Sequence, residues 1–172
     1  VSMVIVRDDV AYIAQVGDSR VYIAREGQPL FRITEDHSIV AEQVRNGIIS
    51  EDEARHHNLK NLITRAVGIK EIVDVDLFGL RLKKGDTVLI CSDGLSNAVD
   101  DAGIQQALRL DTVQAAARLL VGKALDAGGS DNISVAILRV RDNLPHGNMH
   151  RGCLQVSLPG NGLLGRLRRF VT

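Results

Sequence analysis

The sequence has no tryptophan, two tyrosines and three phenylalanines among its 172 residues, so any core it builds is aliphatic. At 45% hydrophobic residues there is enough Val, Ile, Leu and Ala for one, and the length fits one domain of about 100–200 residues. No apolar run approaches the roughly 20 residues that a membrane helix needs, and no charged-then-apolar secretion signal opens the chain. Val1 already stands inside a strand pattern, which speaks against a natural N-terminus there. The two cysteines, Cys91 and Cys153, make no disulfide framework, and a reducing, cytoplasmic setting fits them best. Net charge is zero but unevenly spread: five arginines and one acidic residue follow from Arg141 onward, leaving 16 basic and 20 acidic residues before it. A mildly acidic body with a basic tail argues against nucleic acid as the main partner.

What is present reads as strands, then helices, then strands again. Ser2–Val6 and Val10–Val16 are β-branched runs around Arg7-Asp8-Asp9, the pattern of a hairpin. The second run is apolar on both faces, which predicts a strand covered on both sides. Val21–Ala24 and Leu30–Ile33 follow at short intervals and extend the expectation to a four-strand antiparallel meander. Ile39, Val40, Val44 and Ile48 then take helical spacing, and Ser50 with Glu53 has the form of a capping box opening a second short helix. Strand patterns resume at Leu62–Val67, Ile72–Leu82 and Thr87–Cys91. A helix is expected over Asp101–Leu110, and another capped by Asp111 and running through Leu125 on Ala117, Leu120, Val121 and Ala124. Gly128-Gly129 ends it, and Ile133–Val140 is the last strand. The order is α+β rather than a βαβ alternation. From Arg141 the pattern dissolves into Asn, Pro, Gly and His, so residues 1–140 form the domain and 141–172 a basic linker. Within it Leu163, Leu164, Leu167, Phe170 and Val171 share a helical face with Arg166 and Arg169 off it, the pattern of a membrane-touching segment. A linker is the preferred reading.

Three aspartates stand where strands stop, beside small residues: Asp18 in Val-Gly-Asp-Ser-Arg, Asp93 in Cys-Ser-Asp-Gly and Asp131 in Gly-Ser-Asp-Asn. A lone Asp-Gly is usually a turn. Three carboxylates at rigid strand ends, if they converge, make an oxygen-only site for Mg²⁺ or Mn²⁺ rather than zinc, whose chemistry is water activation and charge neutralisation on a phosphoryl group.

Five blocks in order, Val16-Gly17-Asp18-Ser19-Arg20, Asp36-His37-Ser38, Leu62 to Gly68, Ser92-Asp93-Gly94 and Gly129 to Ser134, resemble the signature blocks of the bacterial PPM/PP2C protein serine/threonine phosphatases. The resemblance implies an α-β-β-α sandwich of two antiparallel sheets flanked by helices, and hydrolysis of phosphoserine and phosphothreonine in proteins. It implies Asp93 and Asp131 as carboxylates of a dinuclear Mn²⁺ or Mg²⁺ centre, and Asp18 as the residue that holds a third ion with Asp93. Asn132 would support its loop, and residues 38–58 would form the flap beside the cleft. The family's Asp-Gly-x-Gly-Gly block and its phosphate-gripping arginine do not occur from Val1 to Thr172; they are expected upstream, with two strands and two helices. Phosphorylated proteins, among them a serine/threonine kinase and its targets, are the partners this implies.

Other readings have less to stand on. A cysteine phosphatase built on Cys91 would need an arginine where Asn97 stands, so Cys91 reads as a buried core thiol. No Gly-x-Ser-x-Gly elbow exists for a serine hydrolase. Asp74-Val75-Asp76 with Asp100-Asp101 imitates an aspartyl-nucleophile phosphatase, but the alternation continuing through Leu80 makes both aspartates an exposed strand face. His56-His57 reads as solvated flap, His37 as a hydrogen-bonded corner, and Arg20 and Arg65 as structural. The alternative from another class is a non-catalytic regulatory or binding module on the same scaffold.

Overall fold

A computed structural model describes residues 1–149, 154–156 and 167–168. The chain folds into two packed sheets with helices on the outer side of the second. The first sheet has the order β1 (Ser2–Arg7), β2 (Val10–Gln15), β5 (Asp76–Arg81), β8 (Leu154–Val156), β9 (Leu167–Arg168). The second has the order β4 (Phe31–Arg32), β3 (Arg20–Ala24), β6 (Thr87–Cys91), β7 (Val135–Arg139). The expected hairpin is there, with Arg7 paired to Val10 and Asp8 taking φ +53° in a two-residue turn, a left-handed conformation that aspartate tolerates better than most.

The expected meander is not. At Gly17 the chain leaves the first sheet, so β3 pairs with β4 and β6 rather than with β2. Turn residues announce a change of direction; they do not say which sheet receives the next strand. Leu62–Val67 is not a strand either. It is held to the preceding corner by Ile39 N–H donating to Leu62 O (3.0 Å) and Thr64 N–H to His37 O (2.7 Å), and the strand expected from Ile72 starts at Asp76.

Period-2 alternation divides the core. Val21 and Ile23 of β3 and Val88 of β6 face Ala11, Ile13, Phe78 and Leu80 between the sheets. Tyr22, Leu89 and Cys91, the alternate residues, face α3 (Asp93–Ser96), α4 (Asp101–Leu108) and α5 (Val113–Asp126). Burial pushes the Tyr22 hydroxyl up to about 12. Helix α5 buries Ala116, Leu120 and Ala124 on one face, and its cap is Thr112, not Asp111: the Thr112 hydroxyl accepts from Ala115 N–H. Arg139 reaches from β7 to the carbonyls of Leu108, Leu110 and Asp111, so one guanidinium satisfies the last carbonyl of α4 and two in the turn that follows. Helices α1 (Ile39–Arg45) and α2 (Glu51–His56) stand apart over the open end of the second sheet, each opened by a serine cap. The Ser50–Glu53 capping box is complete.

Residues after Arg141 do more than link. Gly147 N–H donates to Asp9 (2.8 Å) and holds that carboxyl below its usual range. Asn148 O accepts from Tyr12 (3.0 Å), and β8 runs parallel to β5 with Phe78 opposite Leu154. The helical reading of residues 163–171 falls mostly outside the described residues; Leu167–Arg168 within it pair as β9 with β8. Among the described residues no helix is long and apolar enough to cross a membrane.

Candidate functional site

Strand register brings the three aspartate loops to one end of the second sheet. Arg20, Cys91 and Val135 lie in one row across β3, β6 and β7. Asp18 is two residues before Arg20, Asp93 two after Cys91 and Asp131 four before Val135, so all three loops emerge past the same edge.

Hydrogen bonds then lock two of them together. The Ser92 hydroxyl donates to Asn132 O (2.8 Å) and accepts from Ser134 N–H (2.9 Å), while Ser92 N–H donates to Ser134 O (3.1 Å). Gly94 is required by this closeness, since a Cβ there would sit 2.5 Å from Asn132 O. Asp93 opens α3 and accepts from Gly94 N–H; Asp131 accepts from Asn132 N–H. Burial raises the Asp93 carboxyl above its usual range, and the charges of Asp18 and Asp131 raise it further. Asp93 therefore feels both of the other expected ligands. The three do not close a cage: among the described residues no three His, Cys, Asp or Glu side chains are gathered tightly enough to enclose an ion. The donor set itself fits a hard divalent cation, being all oxygen and carrying charge that a cation relieves.

Asp18 and Asp93 line a cleft of about 850 Å³ whose far wall is α1 and the start of α2. Arg20 of β3 also lines the cleft, but its charge is committed. Its Nε and Nη2 grip both oxygens of Asp36 (2.6–3.1 Å) and Nη1 reaches Tyr22 OH. Arg65 is likewise bound to Asp76 (2.9 Å) and Asp74 O. Neither is free to grip phosphate.

The remaining candidates disperse. Cys91 is buried, and burial pushes its thiol up to about 12, far from a nucleophile. Asp100 caps α4 by accepting from Gly103 N–H (2.8 Å), and His57 Nδ1 accepts from Leu59 N–H in a local turn. The side chain of His56 lies outside the described residues. Asp76 corrects an expectation: it is no exposed strand face. It takes Nε2–H of the buried His37 (2.9 Å) and Arg65 together. Burial would raise its carboxyl, but those two partners hold it below the usual range. Gln15 and Ser92 are site-shaping residues to which sequence reasoning gave no role, and Asp76 is one that it read only as an exposed strand face. Their partners lie in other elements, and only the serine stands in a recognisable block.

Residues 1–75 match the family model described as protein phosphatase 2C. A serine/threonine phosphatase of Listeria innocua is 41% identical over 127 residues, 73% of this chain and 50% of that protein. The chain belongs to the PP2C family. Its fold matches the crystal structure of the Mycobacterium tuberculosis serine/threonine phosphatase PstP with a TM-score of 0.78 at 34% identity, over 82% of this chain and 59% of the other. A structure of the PstP catalytic domain in complex with two manganese ions matches with a TM-score of 0.71, again at 34% identity, over 82% and 58%. This PP2C chain spans about half the length of the relatives it matches.

Proposed function

We propose that the chain supplies part of the metal centre of a protein serine/threonine phosphatase, acting on phosphoserine and phosphothreonine in proteins. The observation that carries this is the meeting of the Asp18, Asp93 and Asp131 loops at one end of the second sheet. Two or three Mn²⁺ or Mg²⁺ ions bound there would supply an activated water and neutralise phosphoryl charge. The chain's own work is to hold the carboxylates. Ser92 fixes the Asp131 loop against Asp93, and β6 and α3 give Asp93 a rigid base. The cleft between Asp18 and Asp93 on one side and α1–α2 on the other is open enough to admit a phosphorylated side chain with its flanking backbone. Manganese in the PstP complex supports the choice of ion. The partners proposed are phosphorylated proteins, a serine/threonine kinase and its targets among them, met in the cytoplasm.

In the protein that carries this chain, Asp93→Asn should lower Mn²⁺-dependent phosphate release from a phosphothreonine peptide about a thousandfold, since metal stabilisation of several kcal/mol is lost at about 1.4 kcal/mol per factor of ten. Activity near the parent's would sink the reading. The 172-residue chain alone contains no Asp-Gly-x-Gly-Gly, and its turnover should not exceed that of its own Asp93→Asn variant. Robust turnover that the variant loses would show the site complete within these residues.

A further inference from the structure

Asp18 sits at the tip of the four-residue crossing, Val16 to Ser19, from the first sheet to the second. Its carboxylate accepts no hydrogen bond from the described residues, yet the backbone around it is held on every side. Gln15, 0% exposed, turns its amide into the crossing and donates to both carbonyls that flank Asp18, Gly17 O (2.9 Å) and Ser19 O (2.7 Å). Its own oxygen accepts from the Ser2 hydroxyl, so no polar atom of this buried amide is left over. From the opposite side Gly17 N–H donates to His37 Nδ1 (3.1 Å), and His37 N–H returns a bond to Gly17 O (3.0 Å). Accepting at Nδ1 leaves the proton on Nε2, where Asp76 receives it. Gly17 can meet both partners because it takes φ +107°, a conformation closed to most side chains.

A buried glutamine kept only to satisfy itself does not need two acceptors that bracket one half-buried carboxylate. We infer that Gln15 and His37 are positioning residues: they set the crossing so that Asp18 faces Asp93 and shares a divalent cation with it. Metal ligands generally depend on such outer partners, whose loss typically costs about 10–100-fold in affinity. The inference rests on the proposed reading of Asp18, Asp93 and Asp131 as cation ligands.

The test is a Mg²⁺ titration of the full chain read at the side-chain carboxylate ¹³C resonances, one aspartate at a time. Gln15→Met keeps the volume and removes both donors; His37→Phe keeps the ring and removes the Nδ1 that accepts from Gly17 N–H. Each should raise the half-saturation read at Asp18 by about 10–100-fold and leave that read at Asp131 within about twofold. Asp93→Asn should remove the response at both. Unchanged half-saturation at Asp18 in the folded variants overturns the inference, as does an equal loss at Asp18 and Asp131, which would mean general loosening. If Gln15→Met does not fold, His37→Phe decides by the same criteria. A parent whose carboxylates ignore Mg²⁺, or respond equally with Asp93→Asn, refutes the metal reading itself and this inference with it.

Discussion

The two sheets carry the same apolar-on-both-faces pattern and meet different fates. In the second sheet, the residues alternating away from the sandwich, Tyr22, Leu89 and Cys91, are buried under α3 to α5. In the first, the corresponding residues Met3, Ile5 and Leu77 remain 49%, 53% and 44% exposed. Register places them side by side: Met3 opposes Ala14, which opposes Leu77, and Ile5 opposes Tyr12. The described cover on this face is Asn148 and Met149, the latter lying on Gly79, where a Cβ would sit 2.9 Å from its sulfur. Sequence alternation thus states what a face wants, and tertiary structure decides whether it gets it. The same contrast bears on the site, because two of the three aspartate loops belong wholly to the covered sheet while Asp18 hangs from the crossing between them.

The sharpest break of this comparison is in stability. Leu120→Ala, under the covered face, should cost about 2–5 kcal/mol in urea unfolding, whereas Ile5→Ala on the open face should stay within about 0.5 kcal/mol. A large loss at Ile5 would mean that something covers the first sheet in solution.

Next comes the corner that joins the sheets. Asp76→Ala leaves the buried His37 Nε2–H without its acceptor and should cost about 1–3 kcal/mol near neutral pH. Because folding lowers the Asp76 pKa, its contribution is present above the unfolded value of 3.8 and fades as pH falls through the folded one. The gap between parent and variant should therefore narrow in acid. A gap of constant size would assign the loss to packing instead.

The smallest effect runs the other way. Folding raises the Asp93 pKa, so ionising it weakens the fold as pH climbs above the ordinary 3.8. Without divalent cations, Asp93→Asn should melt slightly higher than the parent at neutral pH and equal to it below pH 3.8. A lower melting temperature at neutral pH would show that Asp93 is held for structure.

Local chemistry was what the sequence made legible. The hairpin turn at Asp8-Asp9, the Ser50–Glu53 box, the stop at Gly128-Gly129 and the strand end before Asp93 are each written within a few residues; the short helix that opens at Asp93 is not. What escaped depends on partners far along the chain. Gly17 reads as a turn whether or not the next strand changes sheets. Asp76 looks like alternation until His37, 39 residues away, is placed beside it. Gln15 looks like one polar residue in an apolar strand, and nothing nearby in sequence says that its amide spans the Asp18 turn. Residues after Arg141 have linker composition, and their docking on Asp9 and Tyr12 spans more than 130 positions. The candidate ligands were read from their blocks; the groups that aim them were not.

The central claim is that Asp93, between the charges of Asp18 and Asp131, is built to share divalent cations. Electron paramagnetic resonance of Mn²⁺ titrated into the chain and into its Asp93→Asn variant measures this directly, without depending on turnover. The account predicts saturable binding by the parent, weakened at least about a hundredfold by the substitution, with both proteins folded. Equal Mn²⁺ binding by the two would contradict it.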